Sequence, residues 1–341
     1  MVVPTSTVGD GATLLSTRPL HADVREFGFE LSLCARLEHE REALVSRQLG
    51  AGVHGRRVLD TVVVTPGPGF DRRAAITAQR IPLPAIESDV GPGRARYWKA
   101  AFDCHPDRAR EVVERAVKVG FFERERENGR TYVRQTARYP DDWFESLVGI
   151  ENKPDLDRPG ALETQLLTDV RLALCDEVVL ATASHVTGAH LNRIPEAVGI
   201  WEFDPATGER EVVREPSSLP TEGYGVELLD RSPARTEIEV VTPAEKACAR
   251  RRLAERAYGK GWRSYDLPAC GRVDPDGDGL PCCPWKGRVV RPATDCGPAC
   301  GGHDPADPTA VDRDRLRAER TPWEPDPEGR GRRQAGLDRF G

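Results

Sequence analysis

Residues 147–153, LVGIENK, place a glutamate and a lysine two positions apart at the end of an apolar run. Side chains alternate along a β-strand, so Glu151 and Lys153 are expected to project from the same face. Pro154 lacks a backbone donor and is expected to end the strand pairing. A carboxylate can bind Mg²⁺ or Mn²⁺, and a lysine beside it can position water or stabilise charge on a phosphate. The alternative interpretation of so short a motif is a surface ion pair at a strand end.

The elements after this motif are expected to place it on an inner strand of a sheet. Apolar residues recur at helical spacing over residues 162–174, which predicts a helix. Residues 176–183, DEVVLATA, then predict a buried strand, and residues 186–193 predict a short helix. Residues 197–203, AVGIWEF, predict a further strand. This alternation of strands and helices predicts an α/β fold.

Upstream of the motif, two acidic positions compete to be the partner of Glu151. Asp60 lies among valines in residues 56–64, RRVLDTVVV. A charge there is costly unless it is paired or bound to a metal. Asp141 lies in the sequence Tyr-Pro-Asp-Asp-Trp, which is also ordinary turn chemistry. We favour Asp60 on this ground and keep Asp141 as the alternative.

The order of elements around Glu-x-Lys resembles the core of the PD-(D/E)xK nuclease superfamily. The resemblance covers residues 25–64 and 145–215. It implies a restriction-endonuclease-like fold, a mixed sheet flanked by helices. It also implies metal-dependent cleavage of phosphodiester bonds, in which Asp60 and Glu151 bind Mg²⁺ or Mn²⁺ and Lys153 positions the attacking water.

Some members of this superfamily carry a further acidic residue on the first helix and a polar residue on the helix after the motif. Residues 25–48 predict a first helix in this chain, and Glu30 lies on it. Gln165 lies on the helix expected after Lys153. The resemblance implies that Glu30 and Gln165 complete the site. The alternative is that both are ordinary exposed polar residues of a helix.

The choice of Asp60 makes residues 65–144 an insertion between two core strands. Within it, a predicted amphipathic helix precedes a hairpin over residues 120–135, whose Asn-Gly apex favours a tight turn. A helix followed by a hairpin resembles a winged helix-turn-helix unit, which implies DNA contact through Arg126 and Arg130. Glutamates interleave with these arginines, so a solvated, charge-balanced hairpin is the alternative.

Five of the nine cysteines fall between residues 270 and 300, in a segment rich in Gly and Pro. A loop-rich segment with few large apolar residues does not easily fold around its own core. Thiolate ligands of tetrahedral Zn²⁺ would supply the missing stability. We expect zinc to bind Cys270, Cys283 or its neighbour Cys282, Cys296 and Cys300.

An iron–sulfur cluster is the alternative to zinc. Some nucleases of the resembled superfamily anchor such a cluster through a cysteine near the first helix and cysteines near the C-terminus. The resemblance gives Cys34 the first of these roles. The two metals are easily distinguished, because an iron–sulfur cluster colours a protein brown and zinc does not.

A basic helix is predicted over residues 244–263, just before the cysteine-rich segment. Its candidate contacts with nucleic acid are Arg251 and Lys260. A solvated basic helix face is the alternative. We expect residues 240–303 to form a small module that combines this helix with the metal site.

Length and composition limit the remaining possibilities. A chain of 341 residues is expected to contain two or three units. Its net charge of -6 gives no overall attraction to nucleic acid, so a polyanion site has to be a local basic patch. The chain has no apolar run of membrane-spanning length and no signal peptide, so we expect a cytoplasmic protein that does not bind membranes. Residues 1–24 are expected to be a flexible extension, and residues 304–341 a disordered tail.

The chain as a whole also resembles an uncharacterised haloarchaeal family, a domain of unknown function, through RRVLDTVVV, GIENKPDLDRPG and AYGKGWRSYDLPAC. That resemblance implies no activity. The functional expectation therefore comes from the nuclease-like core, and it is a metal-dependent nuclease acting on DNA. One alternative is a non-catalytic DNA-binding or regulatory protein with the same fold. Another is a zinc-stapled module that binds other proteins.

Overall fold

A computed structural model describes residues 26–157, 160–231 and 234–328 of the chain. It is a mixed α/β structure in which helices flank a six-stranded sheet. Within these ranges, no helix combines the length and apolar character that crossing a membrane requires.

The elements are numbered along the chain. The first part contains α1 (Glu26–Glu40), β1 (Leu44–Gly50), β2 (Val58–Pro66), α2 (Phe70–Ala74), α3 (Leu83–Ile86), β3 (Arg96–Tyr97), α4 (Pro106–Val119), β4 (Phe122–Glu127) and β5 (Arg130–Gln135). The middle part contains β6 (Phe144–Asn152), α5 (Leu162–Leu172), β7 (Glu177–Thr182), α6 (Gly188–Leu191), β8 (Gly199–Phe203) and β9 (Arg210–Arg214). The last part contains β10 (Gly225–Arg231), β11 (Thr236–Val241), α7 (Pro243–Lys260), β12 (Asp274–Pro275), β13 (Pro281–Cys283), β14 (Arg288–Val289), α8 (Pro292–Asp295) and α9 (Arg313–Arg320).

The large sheet has the strand order β1-β2-β6-β7-β8-β9. Strands β1, β2 and β6 are antiparallel neighbours, β6, β7 and β8 are parallel, and β9 is antiparallel to β8. Helices α5 and α6 make the crossovers that parallel neighbours need. Because β2 and β6 are antiparallel, the beginning of β2 lies beside the end of β6. The inner strands thus bring two sequence-distant segments to one edge of the sheet.

An apolar layer covers each face of this sheet. On one face, α1 buries Phe29, Leu33 and Leu37 in a cluster that also contains Val63 and Ile150. On the opposite face lies a larger cluster that contains residues of β2, β6, α5 and α7, among them Val62, Leu147, Leu166, Leu253 and Tyr258. The neighbours Val62 and Val63 belong to different clusters, as expected for an inner strand that is covered on both faces.

The first helix is shorter than the sequence predicted. We expected it over residues 25–48, but α1 ends at Glu40 and β1 begins at Leu44. Leu44 and Val45 are consecutive and fully buried in opposite apolar layers. Pairing of β1 with β2 allows this arrangement, whereas one helical stripe would bury only one side of the chain.

Between β2 and β6 the chain contains the helix and the hairpin expected there, and their apolar residues join the larger cluster. Helix α4 ends at Gly120, whose φ of 94° lies in the left-handed region. The hairpin of β4 and β5 turns at Asn128 and Gly129, with φ values of 51° and 74°. Strand β3 adds to β5, which gives a three-stranded sheet in the order β3-β5-β4.

Residues 304–328, which we expected to be part of a disordered tail, are described by the structure and include helix α9. Helix α9 packs against α7, where the Arg317 guanidinium donates to the carbonyl of Tyr258 at 2.7 Å. Trp323 is buried, and its indole N–H donates to the carbonyl of Ala78 at 3.1 Å. The segment is highly charged, but one buried tryptophan and the apolar stem of one arginine attach it to the rest of the protein. Residues 1–25 and 329–341 lie outside the described ranges.

Candidate active site

Asp60 and Glu151 lie side by side on neighbouring strands. Thr61 of β2 is paired with Ile150 of β6, so the next residues along the two strands are Asp60 and Glu151. The backbone N–H of Asn152 donates to Oδ2 of Asp60 at 2.9 Å. The structure therefore brings together the two carboxylates that the sequence selected.

Arg57, just before β2, connects Glu151 with a third carboxylate. Its Nη2 donates to Oε2 of Glu151 at 2.6 Å. The same guanidinium holds both oxygens of Asp169 on α5, at 2.8 and 2.6 Å. This bidentate geometry fixes the arginine in one orientation.

Arg57 and Asp169 were not among the site residues that the sequence predicted. The available signal was the position of Asp169 on the apolar stripe that Leu162 and Leu166 begin. A carboxylate on a buried helix face needs a charged partner, and a search for that partner would have led to an arginine near the candidate strands.

Glu30 is linked to the site through β1. Oε1 of Glu30 accepts a hydrogen bond from Nε of Arg47 at 2.6 Å. The Gln48 side-chain amide donates to Glu30 at 3.2 Å and to Asp60 at 3.2 Å. Glu30 is therefore a neighbour of Asp60 through an amide bridge.

The backbone of Gln48 makes this bridge possible. Arg47 and Gln48 are consecutive in β1, and ordinary alternation would send their side chains to opposite faces. Gln48 has a φ of 54°, a left-handed conformation that is strained for a residue other than glycine. Because of this reversal, both side chains reach Glu30.

Lys260, at the end of α7, holds this strained segment. Its ammonium donates to the carbonyls of Arg47 at 2.8 Å and Gln48 at 2.9 Å. We expected Lys260 to contact nucleic acid, but the structure directs its side chain to the protein's own backbone beside the site.

Lys153 and Gln165 have fewer contacts. Lys153 directly follows β6, and its backbone N–H donates to the carbonyl of Ala181 at 2.9 Å. Its side chain is half-buried, and among the described residues its ammonium forms no hydrogen bond or ion pair. Gln165 is half-buried on α5, four residues before Asp169 and hence on the same helix face.

Burial makes the carboxylates of this site unusually basic. It raises the pKa of Glu151 to about 7, with the charges of Asp60 and Asp169 adding to the increase and Arg57 opposing it. Burial also raises the pKa values of Asp60, Asp169 and Glu30. Desolvated carboxylates that repel each other favour an additional cation or proton between them.

Two carboxylates suffice for Mg²⁺, which is commonly bound through one or two of them and keeps several waters. Oε1 of Glu151 accepts no hydrogen bond from the described residues, whereas Oε2 is held by Arg57. Across those residues, no group of at least three His, Cys, Asp or Glu side chains is arranged as a ready-made metal site. The donors thus fit a two-carboxylate site for Mg²⁺ or Mn²⁺ in which the ion competes with Arg57 for Glu151.

Asp141, the alternative to Asp60, lies away from this site. It precedes β6, whereas Glu151 lies near the end of that strand, roughly 20 Å further along. Its side chain is exposed and lies 3.5 Å from Arg251. The structure therefore places Asp60, and not Asp141, next to Glu151.

Arg251, a predicted nucleic-acid contact on α7, is half-buried between two acidic side chains. Besides Asp141 it contacts Glu87 at 3.4 Å. Other basic residues of α7 donate to backbone carbonyls near β1: Arg252 to Gly52 at 2.7 Å and Arg256 to Gly50 at 2.6 Å. Much of the positive charge of this helix is thus used to attach it to the sheet.

Strand β4 carries its arginines and its glutamates on opposite faces, and Arg130 and Arg134 of β5 lie on the face of the glutamates. Side chains alternate along β4, so its arginines and its glutamates lie on opposite faces. One face carries Arg124 and Arg126, and the other carries Glu123, Glu125 and Glu127. On the acidic face, Arg134 lies 2.6 Å from Glu123, and Arg130 lies 5.8 Å from the ring centre of Tyr97. Arg126 is on the basic face, exposed, and has no ion pair with a described residue.

Some of the cysteines expected to bind metal lie together, and others point elsewhere. Cys270 and Cys283 are buried together, and Cys296 packs against them. Cys282 instead directs its thiol to Asp276 at 3.4 Å. Cys34, the candidate for an iron–sulfur cluster, is a buried residue of α1, and its sulfur lies 3.7 Å from Oγ1 of Thr61 on β2. These contacts favour Cys283 over Cys282 and place Cys34 against the sheet.

Comparison with known proteins gives a family but no activity. The sequence model of a family of unknown function (DUF5787) matches residues 44–305. This range includes Asp60, Glu151 and the cysteine-rich segment, and it begins after Glu30. No curated protein and no solved structure matches the chain. A function must therefore be argued from the site's own chemistry.

Proposed function

We propose that this chain, which belongs to the DUF5787 family of unknown function, is a metal-dependent nuclease that hydrolyses phosphodiester bonds of DNA. The observation that carries the proposal is the position of Asp60 beside Glu151 on adjacent strands, with Lys153 directly after the end of β6. Carboxylates and an ammonium at one strand end are the groups that phosphodiester hydrolysis with a divalent ion requires.

Each side chain has a role that follows from its contacts. Asp60 and Glu151 would hold Mg²⁺ or Mn²⁺, which when bound would place positive charge next to the phosphate. Lys153 would position the attacking water, since its ammonium has no partner among the described residues. Glu30 acts through Gln48, whose amide keeps Asp60 in place. Gln165 would orient water from the helix face that also carries Asp169.

The arrangement of the core supports this assignment. A mixed sheet has Glu-x-Lys at the end of an inner strand, α1 on one face and α5 on the next crossover. We assign this core to the restriction-endonuclease-like fold, and the unit of α4, β4 and β5 to a winged-helix-like insertion. Both assignments rest on the order and pairing of the elements.

The basic face of β4 supports DNA as the substrate. A net charge of -6 means that a polyanion can be attracted only locally. Arg124 and Arg126 supply such a patch, because Glu125, which lies between them in sequence, points to the other face. Arginines on an exposed strand can bind consecutive phosphates without reading the bases.

Cleavage of labelled DNA tests the proposal directly. Wild type and variants would be incubated with single- and double-stranded DNA and with RNA, in Mg²⁺ or Mn²⁺ over a range of salt. Glu151→Gln and Lys153→Ala should each reduce the rate by about a hundredfold or more. Glu145→Gln, on the same strand but exposed, is the matched control and should cut normally. A folded wild type that binds DNA and never cuts it would contradict the proposal.

The second candidate is a non-catalytic DNA-binding protein, and the contact between Arg57 and Glu151 favours it. An arginine that already neutralises the metal-binding carboxylate can replace the ion permanently. Calorimetry with Mn²⁺ separates the two candidates. Binding that disappears in Glu151→Gln supports the nuclease, whereas salt-dependent DNA binding without any ion at Glu151 supports the second candidate.

A further inference from the structure

The cysteine-rich segment has very little hydrophobic core. Strands β12, β13 and β14 contain two or three residues each, and α8 contains four. The one separate apolar cluster there consists of Cys270, Val273, Cys283 and Val290, with Leu267 and Cys296 at its margin. Trp285, its largest apolar side chain, is 58% exposed. Units of about 40 residues usually need a disulfide or a metal to fold, and these cysteines are all free thiols.

The thiols of this segment converge. Cys270 and Cys283 are 7% and 6% exposed and belong to the same buried cluster. Cys296 packs against that cluster. Cys300 lies four residues after Cys296, and its backbone N–H donates to the carbonyl of Gly297 at 2.9 Å. Cysteines from three separate stretches of the chain, Cys270, Cys283 and Cys296, therefore meet in one cluster, and Cys300 follows the last of them closely in sequence.

The backbone presents these cysteines at the corners of turns. The carbonyl of Cys270 accepts from Val273 at 3.1 Å, that of Cys283 from Lys286 at 3.1 Å, and that of Cys300 from His303 at 2.9 Å. Each of these cysteines thus begins a turn of four residues. A turn orients its first side chain without the support of a core.

Strand alternation decides which of the adjacent cysteines takes part. Cys282 and Cys283 are consecutive in β13 and so point to opposite faces. Cys283 enters the cluster, and Cys282 donates to Asp276. Cys282 therefore lies outside the cysteine cluster, although it is adjacent to Cys283 and has the same side chain.

We propose that Cys270, Cys283, Cys296 and Cys300 bind one structural Zn²⁺ that holds residues 270–300 together. Soft thiolates select zinc over Mg²⁺ or Ca²⁺. Complete coordination by thiolates leaves no position for a reacting water, so the site is structural. In the described residues no three of these side chains already have coordination geometry. Binding would draw the sulfurs to about 2.3 Å from the ion.

The position of this site connects it to the rest of the molecule. Val289 of β14 packs on α1, where a Cβ built on Gly28 would lie 3.2 Å from the Val289 carbonyl oxygen. Gly28 is close in sequence to Glu30, so the ordered module supports the helix that carries Glu30. Loss of zinc would remove this support without altering any residue of the candidate active site.

Metal analysis of the full-length protein tests the inference. Protein purified without added zinc should contain about one Zn²⁺ per chain by mass spectrometry of the metal. Exchange with Co²⁺ should give the intense absorption of cobalt–thiolate bonds. Cys283→Ser should lose both signals, whereas Cys282→Ser should keep both. Wild-type protein with no zinc and no cobalt–thiolate absorption would overturn the inference.

Further outcomes also decide the matter. Brown protein that contains iron and sulfide would overturn zinc in favour of an iron–sulfur cluster. Loss of metal in Cys282→Ser with retention in Cys283→Ser would overturn the assigned ligands. If Cys283→Ser does not fold, the zinc content of the wild type and of Cys300→Ser is measured instead. The wild type should contain about one Zn²⁺ per chain, and Cys300→Ser should lose it. The readout is metal content, so it is independent of whether the protein cleaves DNA.

Discussion

Arg57 and Glu151 form a buried ion pair in which Nη2 and Oε2 are 2.6 Å apart. The same guanidinium also serves Asp169, and Asp60 lies on the adjacent strand. One positive charge therefore faces the carboxylates of Asp60, Glu151 and Asp169. When all are ionised, this group is left with an excess negative charge, which a divalent cation can neutralise.

The pH dependence of stability should report Glu151. Its pKa is raised from the ordinary 4.5 to about 7. A raised carboxyl pKa gives stability that is present below pH 4.5 and is lost as the pH rises through about 7. For Glu151 this loss is at most about 3 kcal/mol. Urea unfolding without divalent ions at pH 5, 6, 7 and 8 should show the decline, and Glu151→Gln should flatten it. An unchanged slope in that variant would contradict the assigned pKa.

Binding of Mn²⁺ or Mg²⁺ should strengthen with pH. An ion that uses Glu151 must displace its proton, so affinity should increase about tenfold per pH unit below 7 and level off above it. Calorimetric titration at several pH values measures this change. The variant Glu145→Gln should follow the wild-type curve. A pH-independent affinity would mean that the ion does not bind through Glu151.

Replacement of Arg57 should couple stability to metal. In Arg57→Gln, Asp169 remains buried without its cation, which costs about 3–5 kcal/mol in the free energy of unfolding. Added Mn²⁺ should restore more stability to this variant than to wild type, because the ion replaces part of the missing positive charge. Thermal unfolding with and without Mn²⁺ provides the comparison. Equal responses of the two proteins would argue against competition between Arg57 and the ion.

The two hairpin arginines should behave differently. Arg126→Ala removes an unpaired charge from the basic face, so DNA binding should weaken and its salt dependence should decrease by about one ion. Arg130→Ala, on the acidic face, should bind like wild type. Fluorescence anisotropy over a series of salt concentrations measures both effects. If the two variants lose affinity equally, the separation of charges on β4 and β5 has no role in binding.

The segment after residue 304 should contribute to global stability. Trp323→Ala removes a side chain that is 8% exposed and should cost about 3–5 kcal/mol. Trp285→Ala removes one that is 58% exposed and should cost far less. Chemical denaturation of both variants tests this difference. A stable Trp323→Ala protein would mean that α9 packs only weakly.

The sequence predicted the central strands and the hairpin, and it marked Asp60 and Glu151 separately, because each of these signals depends on local pattern. Glu151 and Lys153 follow an apolar run, and Asp60 stands out among valines. Such signals lie within one element and survive without knowledge of its neighbours.

The remaining features depend on contacts between distant elements. Arg57 and Asp169 are separated by 112 positions, so no window of sequence contains both. The left-handed conformation of Gln48 depends on Lys260 and on the pairing of β1 with β2. The buried Trp323 likewise donates to the carbonyl of Ala78, which lies 245 positions earlier in the chain. Tertiary contacts decided each of these positions, and local propensity could not.

The hydrogen bond from Lys260 to the carbonyl of Gln48 can form only late in the folding of the chain. During synthesis the residues of β1 and β2 leave the ribosome long before α7 does, because 212 positions separate the two partners. Contacts this distant in sequence close late and slow the folding of a chain. The bridge from Glu30 to Asp60 would therefore be completed only after translation has passed residue 260.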